Sequence, residues 1–368
     1  MIKINYNSKK SKKGAKHCFI YRGPKMEEIK KALGRENQDL CLKVFFDQDK
    51  LDNWGDNPNG DNPKHNTTIK EATQIQNICW YHGLAPRVYQ TLQIEWIGQY
   101  IRKNANKTII GENKICDAQV TDDLGETTGT IEDCQKICGE IDKLGKEYGW
   151  VSNSAEYKGA DIIGGKFVDF QTFNLIDDYK EKIKDKYIEY GTYGKKYYHN
   201  VPELDLNGCP RENENRVKWL GLDKVDFKGK VVIDYGCANG WFCRYMDSRG
   251  SLIVRGVDTK NDSMKDPGKA FFLVNNYLGH YNIRFSYRDL NNISEGSGDY
   301  DIALFLSMAY HIKDIGFLSD AAELVIVEDN SKNRDAKEKL EKLFSRVEHK
   351  GFTEDRNNSH LPIYYCYK

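Results

Sequence analysis

The stretch Val231-Val232-Ile233-Asp234-Tyr235-Gly236-Cys237-Ala238-Asn239-Gly240 decides how this chain folds. Val231, Val232 and Ile233 form an apolar run with no polar interruption, the pattern of a parallel strand buried on both faces. Asp234 ends the run, and Gly236 and Gly240 bracket a tight turn. Trp241-Phe242-Cys243-Arg244-Tyr245-Met246 then reads as the first turns of a helix. Strand, glycine turn and helix together make the front of a βαβ unit, whose glycines let the backbone take positive φ and come close to a ligand.

The spacing is not that of a dinucleotide site. G-x-G-x-x-G needs glycines where this chain has Ala238 and Trp241, and no G-x-x-x-x-G-K-[ST] occurs. The pattern present, D-x-G-x-x-x-G, resembles the first motif of class I S-adenosylmethionine-dependent methyltransferases, with Ala238 at the middle glycine position. A ligand bearing an amino-acid ammonium calls for a carboxylate and a close backbone, which Asp234 and Gly236 supply. The rest of the C-terminal half continues the resemblance. Leu252–Val257 is a second short strand ending at Asp258, about 20 residues past the turn, where such folds carry a ribose-binding acid. Ile283–Leu290 reads as a third strand with Asp289 at its end, Tyr300–Ser307 as a fourth and Ala322–Glu328 as a fifth. Phe344–Lys350 and Pro362–Tyr367 supply two more, so the expected fold class is α/β, a seven-stranded Rossmann-like sheet.

The resemblance implies roles for named residues. Asp234, Gly236, Ala238, Asn239 and Gly240 would hold the methionine part of S-adenosylmethionine. Asp258 would take the ribose hydroxyls, and Asp289 with Leu290 the adenine. Ser307 ends the fourth strand at the crevice outside the strand carboxyl ends, and Tyr310 and His311 follow it as the catalytic candidates. His311 could accept a proton near neutral pH, or orient the acceptor, or simply pack against the next helix. Glu328 is a second acidic candidate at the rim. No N/D-P-P-[YF] follows the fourth strand, which argues against amino-methylation by the route that uses that motif. No K-D-K-E pattern supports ribose 2′-O-methylation either.

Residues 1–178 read as a separate α+β domain. Lys9–Lys16 is a basic surface stretch, and Asp47–Asn66, rich in Asn, Asp, Gly and Pro, a long loop. Cys41–Phe46 is a strand containing Lys43. Thr68 and Glu71 have capping-box spacing at the start of a helix over Ile69–His82, with Ala72, Ile75, Cys79 and Tyr81 or His82 inward. Gly83–Tyr89 leads into a strand, Lys114–Thr121 is another, and Ile131–Tyr148 is a helix with Lys136, Glu140, Lys143 and Glu147 on a solvated face. This order resembles a protein-kinase-like fold: Lys43 as the strand lysine, Glu71 as its helix partner, His82–Tyr89 as the helix-to-strand connection, and Asp169-Phe170-Gln171 in place of D-F-G. No G-x-G-x-x-G precedes Lys43 and no H-x-D with a downstream Asn precedes Asp169, so the usual parts for phosphoryl transfer are absent. Lys43 and Glu71 read equally as an ordinary strand lysine and helix glutamate. A degenerate kinase-like lobe that recognises a substrate or a protein partner is the expectation.

Residues 179–222 read as a charged linker helix and a segment across the cofactor pocket, and 223–368 as the methyltransferase domain. Tyr190–Asn200 is dense in tyrosine, glycine and lysine, suited either to stacking on bases or sugars or to packing the domain joint. From Tyr190 to the end, the run Tyr197-Tyr198-His199-Asn200-Val201-Pro202-Glu203-Leu204, then Arg216 and its helix, then the glycine turn, is similar to a subgroup that includes wobble-uridine carboxymethyl-transfer enzymes and some sugar methyltransferases. The acceptor class, small molecule, glycan or RNA, stays open. Lysine plus arginine and aspartate plus glutamate number 55 each, so there is no general basic field for nucleic acid. The ten cysteines include no C-x-x-C pair, and Cys134 with Cys138 reads as helix packing rather than a metal site; no metal is expected. With no membrane-length apolar stretch, a soluble cytoplasmic protein is expected. Three readings follow: an active methyltransferase, a scaffold that keeps only the fold, and a bifunctional kinase-like/methyltransferase protein.

Overall fold

A computed structural model describes residues 2–5, 18–45, 68–97, 114–125, 129–152, 162–168, 170, 173–193, 196–197, 199–209, 213–259, 265–292, 300–312, 314–331, 336–354 and 360–368. The basic stretch Lys9–Lys16, the loop Asp47–Asn66 and Asp169 lie outside them. The chain divides into two units, Met1–Lys182 and Ile183–Lys368. Among the described residues no helix is long and apolar enough to cross a membrane.

The first unit is built on a five-stranded sheet. Its strands are β1 (Ile2–Asn5), β2 (Cys18–Tyr21), β3 (Leu40–Phe45), β4 (Val88–Ile97) and β5 (Lys114–Asp122), in the order β1-β4-β5-β3-β2, with only β1–β4 parallel. Helix α1 (Lys25–Ala32) seats Met26 and Ile29 in a core with Leu42, Val44, Ala118 and Val120. Helix α2 (Ile69–Tyr81) starts at the expected capping box, and α3 (Ile131–Tyr148) starts at a second one, Thr130 with Asp133. Ala72, Ile75 and Cys79 are buried as expected, whereas Tyr81 and His82 are exposed. Thr73, Gln74, Gln76 and Asn77 are buried as well. The Thr73 hydroxyl and the Gln76 and Asn77 amides meet backbone and side-chain partners that an apolar-periodicity count cannot register. Asn77 accepts from Val88 N at 2.9 Å, Gln76 donates to Pro86 O at 3.0 Å, and Gln119 donates to Thr73 at 2.5 Å. Cys134 and Cys138 pack with their sulfurs 3.9 Å apart.

The pairing expected of Lys43 is corrected by this geometry. Glu71 accepts from Thr68 N and Oγ1 at 2.7 and 2.8 Å, so its carboxylate is spent on the helix terminus. Lys43 instead donates to the Val168 carbonyl at 2.7 Å. The expected strand over Lys166–Gln171 is cut to Lys166–Phe167, with a separate short strand at Phe173–Leu175.

Helix α4 (Tyr179–Gly191) runs across the boundary between the units. The second unit holds α5 (Asn213–Trp219), β6 (Val231–Tyr235), α6 (Trp241–Ser248), β7 (Ile253–Asp258), α7 (Pro267–Leu278), β8 (Ile283–Tyr287), β9 (Tyr300–Leu306), α8 (Leu318–Ala321), β10 (Ala322–Glu328), α9 (Ala336–Leu343), β11 (Arg346–Glu354) and β12 (His360–Tyr367). The sheet order is β8-β7-β6-β9-β10-β12-β11; all neighbours are parallel except those of β12. Residues alternate between two cores, as they must on a sheet covered on both faces. Ile233, Tyr235, Phe305, Val325 and Val327 pack with Leu318 and Leu340 on the α8–α9 side. Val232, Val254, Leu304 and Ile326 pack with Val217, Phe242 and Phe271 on the α5–α7 side. The third and fourth strands stop earlier than expected, at Tyr287 and Leu306, and Asp234 lies inside its strand rather than after it.

Candidate active site

The chain leaves β6 outward through β7 to β8, then returns to β9 on the other flank of β6. Strand order therefore reverses between β6 and β9. The crevice at the carboxyl ends of such a pair is where open α/β sheets bind ligands.

The glycine turn fills this position. Gly236 and Gly240 have φ of 78° and 77°, and Ala238 shares the left-handed region at 49°. A Cβ on Gly240 would overlap the Phe271 ring, so that position needs glycine for space as well as conformation, while one on Gly236 would meet the flexible end of Met308 and is disfavoured by its left-handed backbone. The turn is tied to the next strand: Gly236 N and Cys237 N donate to Val257 O at 2.8 and 3.2 Å. Ala238 N donates to one carboxylate oxygen of Asp258 and Thr259 N to the other, both at 2.7 Å. Asp258 is thereby fixed under the turn with lone pairs left over.

Asp234 is buried, and burial with the neighbouring Asp258 pushes its carboxyl up to about 8. The Cys243 thiol donates to it at 3.7 Å, a weak hydrogen bond, and with the Arg216 charge it opposes that shift only in part. Asp258 is raised in the same direction by burial, against the pull of its two backbone donors. Asn239 donates to the Tyr187 hydroxyl, while its own side-chain oxygen is buried without a partner. Two desolvated acids and an orphaned acceptor thus gather at one turn.

On the far side of the crevice the chain leaves β9 through Ser307, which has φ of 59° although it carries a side chain. Such strain persists only where surrounding contacts over-determine it, and it collects at functional sites. The contacts are present. Ser307 N donates to Glu328 O at 3.1 Å and Ser307 Oγ donates to the Glu328 carboxylate. Asn330 donates to Ser307 O at 2.6 Å and accepts from Tyr310 N at 2.9 Å. Tyr310 and His311 follow, both exposed, with rings edge-to-face at 5.1 Å.

Glu328, expected at the rim, is instead buried and saturated. It accepts from Arg216 at 2.5 Å and Thr353 at 2.8 Å in addition to Ser307. Its part is to pin the chain around the site. Asp289 is exposed and caps Asn291 N at 3.0 Å, and Leu290 is packed in the α8–α9 core with Val257. The geometry therefore gathers Asp234, Gly236, Ala238, Asn239, Gly240 and Asp258 around one turn and sets Ser307, Tyr310 and His311 across the crevice, with Leu290 on the other face of the sheet. Sequence reasoning marked Arg216 only as part of the pattern ahead of the sheet, with no role at the site, and missed Asn330 and Thr353. They come from α5, from the loop after β10 and from the return strand β11, and no spacing links them. Among the described residues no cluster of His, Cys, Asp or Glu is arranged to hold a metal ion.

A family model described as a methyltransferase domain matches residues 211–326. Among solved structures, the chain is similar to the bifunctional kinase-methyltransferase WbdD, at 18% identity over 50% of this chain and 46% of that one, with a TM-score of 0.38. It is also similar to an S-adenosylmethionine-dependent methyltransferase from Mesorhizobium loti (19% identity, 31% and 53% covered, TM-score 0.25) and to one from Aquifex aeolicus (14% identity, 42% and 88% covered, TM-score 0.32). The chain spans less than half the length of the WbdD chains it matches. No curated protein matches the sequence. The matched segment carries the glycine turn and runs into the fifth strand of the seven-stranded sheet, so residues 211–326 of this chain match a methyltransferase domain.

Proposed function

We propose that this protein binds S-adenosylmethionine at the Gly236–Gly240 turn and transfers its methyl group to a hydroxyl or related group of a small molecule, glycan or RNA. The observation that carries the reading is the pair Asp234 and Asp258, two desolvated carboxylates on adjacent strands beneath a turn whose Gly236 and Gly240 are left-handed and closely approached by neighbouring side chains. A ligand fitting them carries positive charge at one end and hydroxyls at the other, and leaves no phosphate to be cradled. The residues present fit S-adenosylmethionine on that ground. Asp234 and the orphaned Asn239 oxygen would take the ammonium, and Asp258, already oriented by Ala238 N and Thr259 N, would take the ribose hydroxyls. When bound, the cofactor supplies an activated methyl on a sulfonium, so the protein's work is to orient the acceptor and exclude water. Tyr310 and His311, held at the opposite rim through Asn330, would orient the acceptor or receive its proton.

The first unit would recognise the substrate or a protein partner. Lys43 is buried with its ammonium on the carbonyl of Val168, the residue before Asp169 in sequence, and that neighbourhood, not a pair with Glu71, is what a second, kinase-like reading rests on. Calorimetric titration of S-adenosylmethionine and, separately, Mg-ATP into the purified chain tests both. Cofactor binding that is lost in Asp258→Ala, with no response to ATP, is the expected result. The hydrogen bonds to a charged group at stake correspond to a loss of roughly 10- to 100-fold in affinity. Cofactor binding unchanged in Asp258→Ala overturns the assignment of the site, and binding of neither ligand leaves only the scaffold reading.

A further inference from the structure

The turn and the strained loop meet at one side chain. Gly236 faces Met308 so closely that a Cβ there would overlap the Sδ, Cγ and Cε atoms of its thioether. Met308 is the first residue after the left-handed Ser307; its half-buried side chain packs against the α8–α9 core and reaches Gly236, just past the end of the neighbouring strand β6. The bend does not relax freely. Ser307 is held through its amide, its hydroxyl and its carbonyl by Glu328 and Asn330, and His311 N donates back to Met308 O at 2.8 Å. A half-buried thioether is therefore carried on a pinned stretch of backbone at the point where strand order reverses.

Resting on the reading of the site given above, the ligand's covalent order then selects what meets Met308. The cofactor's sulfur joins its amino-acid part to its ribose. Asp234, assigned to the amino-acid end, is paired in register with Gly256, and Asp258, assigned to the ribose, lies two residues further along β7. The joint between the two ends has to pass over Gly236, where the Met308 sulfur lies. A thioether is soft, polarisable and a weak acceptor without a proton to donate. It can face a sulfonium and its electron-poor methyl without hydrating either, and gains less from the neutral sulfur of the demethylated product.

We infer that Met308 is a cofactor-contacting residue that discriminates the charge on sulfur, favouring S-adenosylmethionine over S-adenosylhomocysteine. The test is the ratio of the two dissociation constants, measured by calorimetry on the full chain, wild type against Met308→Leu and Met308→Ala. Leucine keeps nearly the same volume and removes only the sulfur. Met308→Leu is expected to weaken S-adenosylmethionine at least threefold while leaving S-adenosylhomocysteine within twofold. Met308→Ala is expected to lower the same ratio. A ratio unchanged in Met308→Leu, whether both affinities hold or both fall together, overturns the inference and leaves the cofactor site standing. Wild-type protein that binds neither compound overturns the cofactor reading itself, and this inference with it.

Discussion

The carboxyl of Asp234 is the most informative group to perturb, because its charge is predicted to change when the site fills. Burial, reinforced by Asp258, pushes it up to about 8, so in the empty site it holds a proton at neutral pH. A cationic ligand needs it ionised. Binding near pH 7 should therefore release about 0.9 proton, and affinity should weaken about tenfold for each pH unit below about 8, since one unit is worth about 1.4 kcal/mol. The ligand's own amino group titrates in the same range, and Asp234→Asn separates the two effects because only the protein's contribution disappears. Calorimetry of S-adenosylmethionine binding at pH 7, in two buffers of different ionisation enthalpy, counts the protons directly. Wild type should release nearly one more proton than Asp234→Asn, and the ratio of wild-type to variant affinity should climb between pH 6 and 8.5. Equal proton counts for the two proteins refute the argument that Asp234 pairs with the ligand's charge. Linkage gives the matching effect on stability. A carboxyl raised on folding binds its proton more tightly in the folded state, so the ligand-free protein should lose stability as pH rises from the ordinary carboxyl range through about 8. That loss should be smaller in Asp234→Asn.

Gly240→Ala places a Cβ into the Phe271 ring at a left-handed φ and should cost about 1–3 kcal/mol, read as a lowered denaturant midpoint, together with loss of cofactor binding. Intact cofactor affinity in that variant would mean the turn can relax away from Phe271. Glu328→Ala leaves Arg216 buried without its partner and removes the anchor of Ser307, at a cost of roughly 3–5 kcal/mol by thermal or chemical melting. A melt within about 1 kcal/mol of wild type would show that Arg216 reaches solvent.

Much of this arrangement is legible in the sequence because it is local. The Val231–Gly240 motif places the first strand and its turn, and Ala322–Glu328 matches its strand end to end. Asp258 also lies where a carboxylate about 20 residues past the turn should lie. What is not legible depends on pairing across long separations. Glu328 reads as a rim acid because nothing near it in sequence announces Arg216, 112 residues away, or Thr353 on the antiparallel return strand. Glu71 carries two compatible signals, a capping box with Thr68 and a partner for Lys43, and the three-residue contact wins because it orders almost no extra chain. The left-handed Ser307 is invisible because the residue is not glycine.

The way donors are divided among the three acids explains why the ligand's positive charge is expected at Asp234. Asp234, Asp258 and Glu328 all lie on the α5–α7 face near the carboxyl ends of their strands, where three unpaired charges would repel one another and resist desolvation. Glu328 takes the Arg216 guanidinium and two hydroxyls, and is closed, while the other buried guanidinium near the turn, Arg244, donates to the Asn239 carbonyl. Asp258 takes two backbone N–H groups, which fix its orientation without neutralising it. Asp234 receives only the long thiol contact from Cys243. Had Arg216 been turned to Asp234, the crevice would be electrically satisfied and a cation would have to displace it. By spending that arginine on Glu328 the fold stiffens the loop that carries Ser307, Met308 and Tyr310, and leaves the carboxylate nearest the turn short of a partner. The same pairing thus builds one wall of the crevice and leaves the charge requirement of its floor to be met by the incoming ligand.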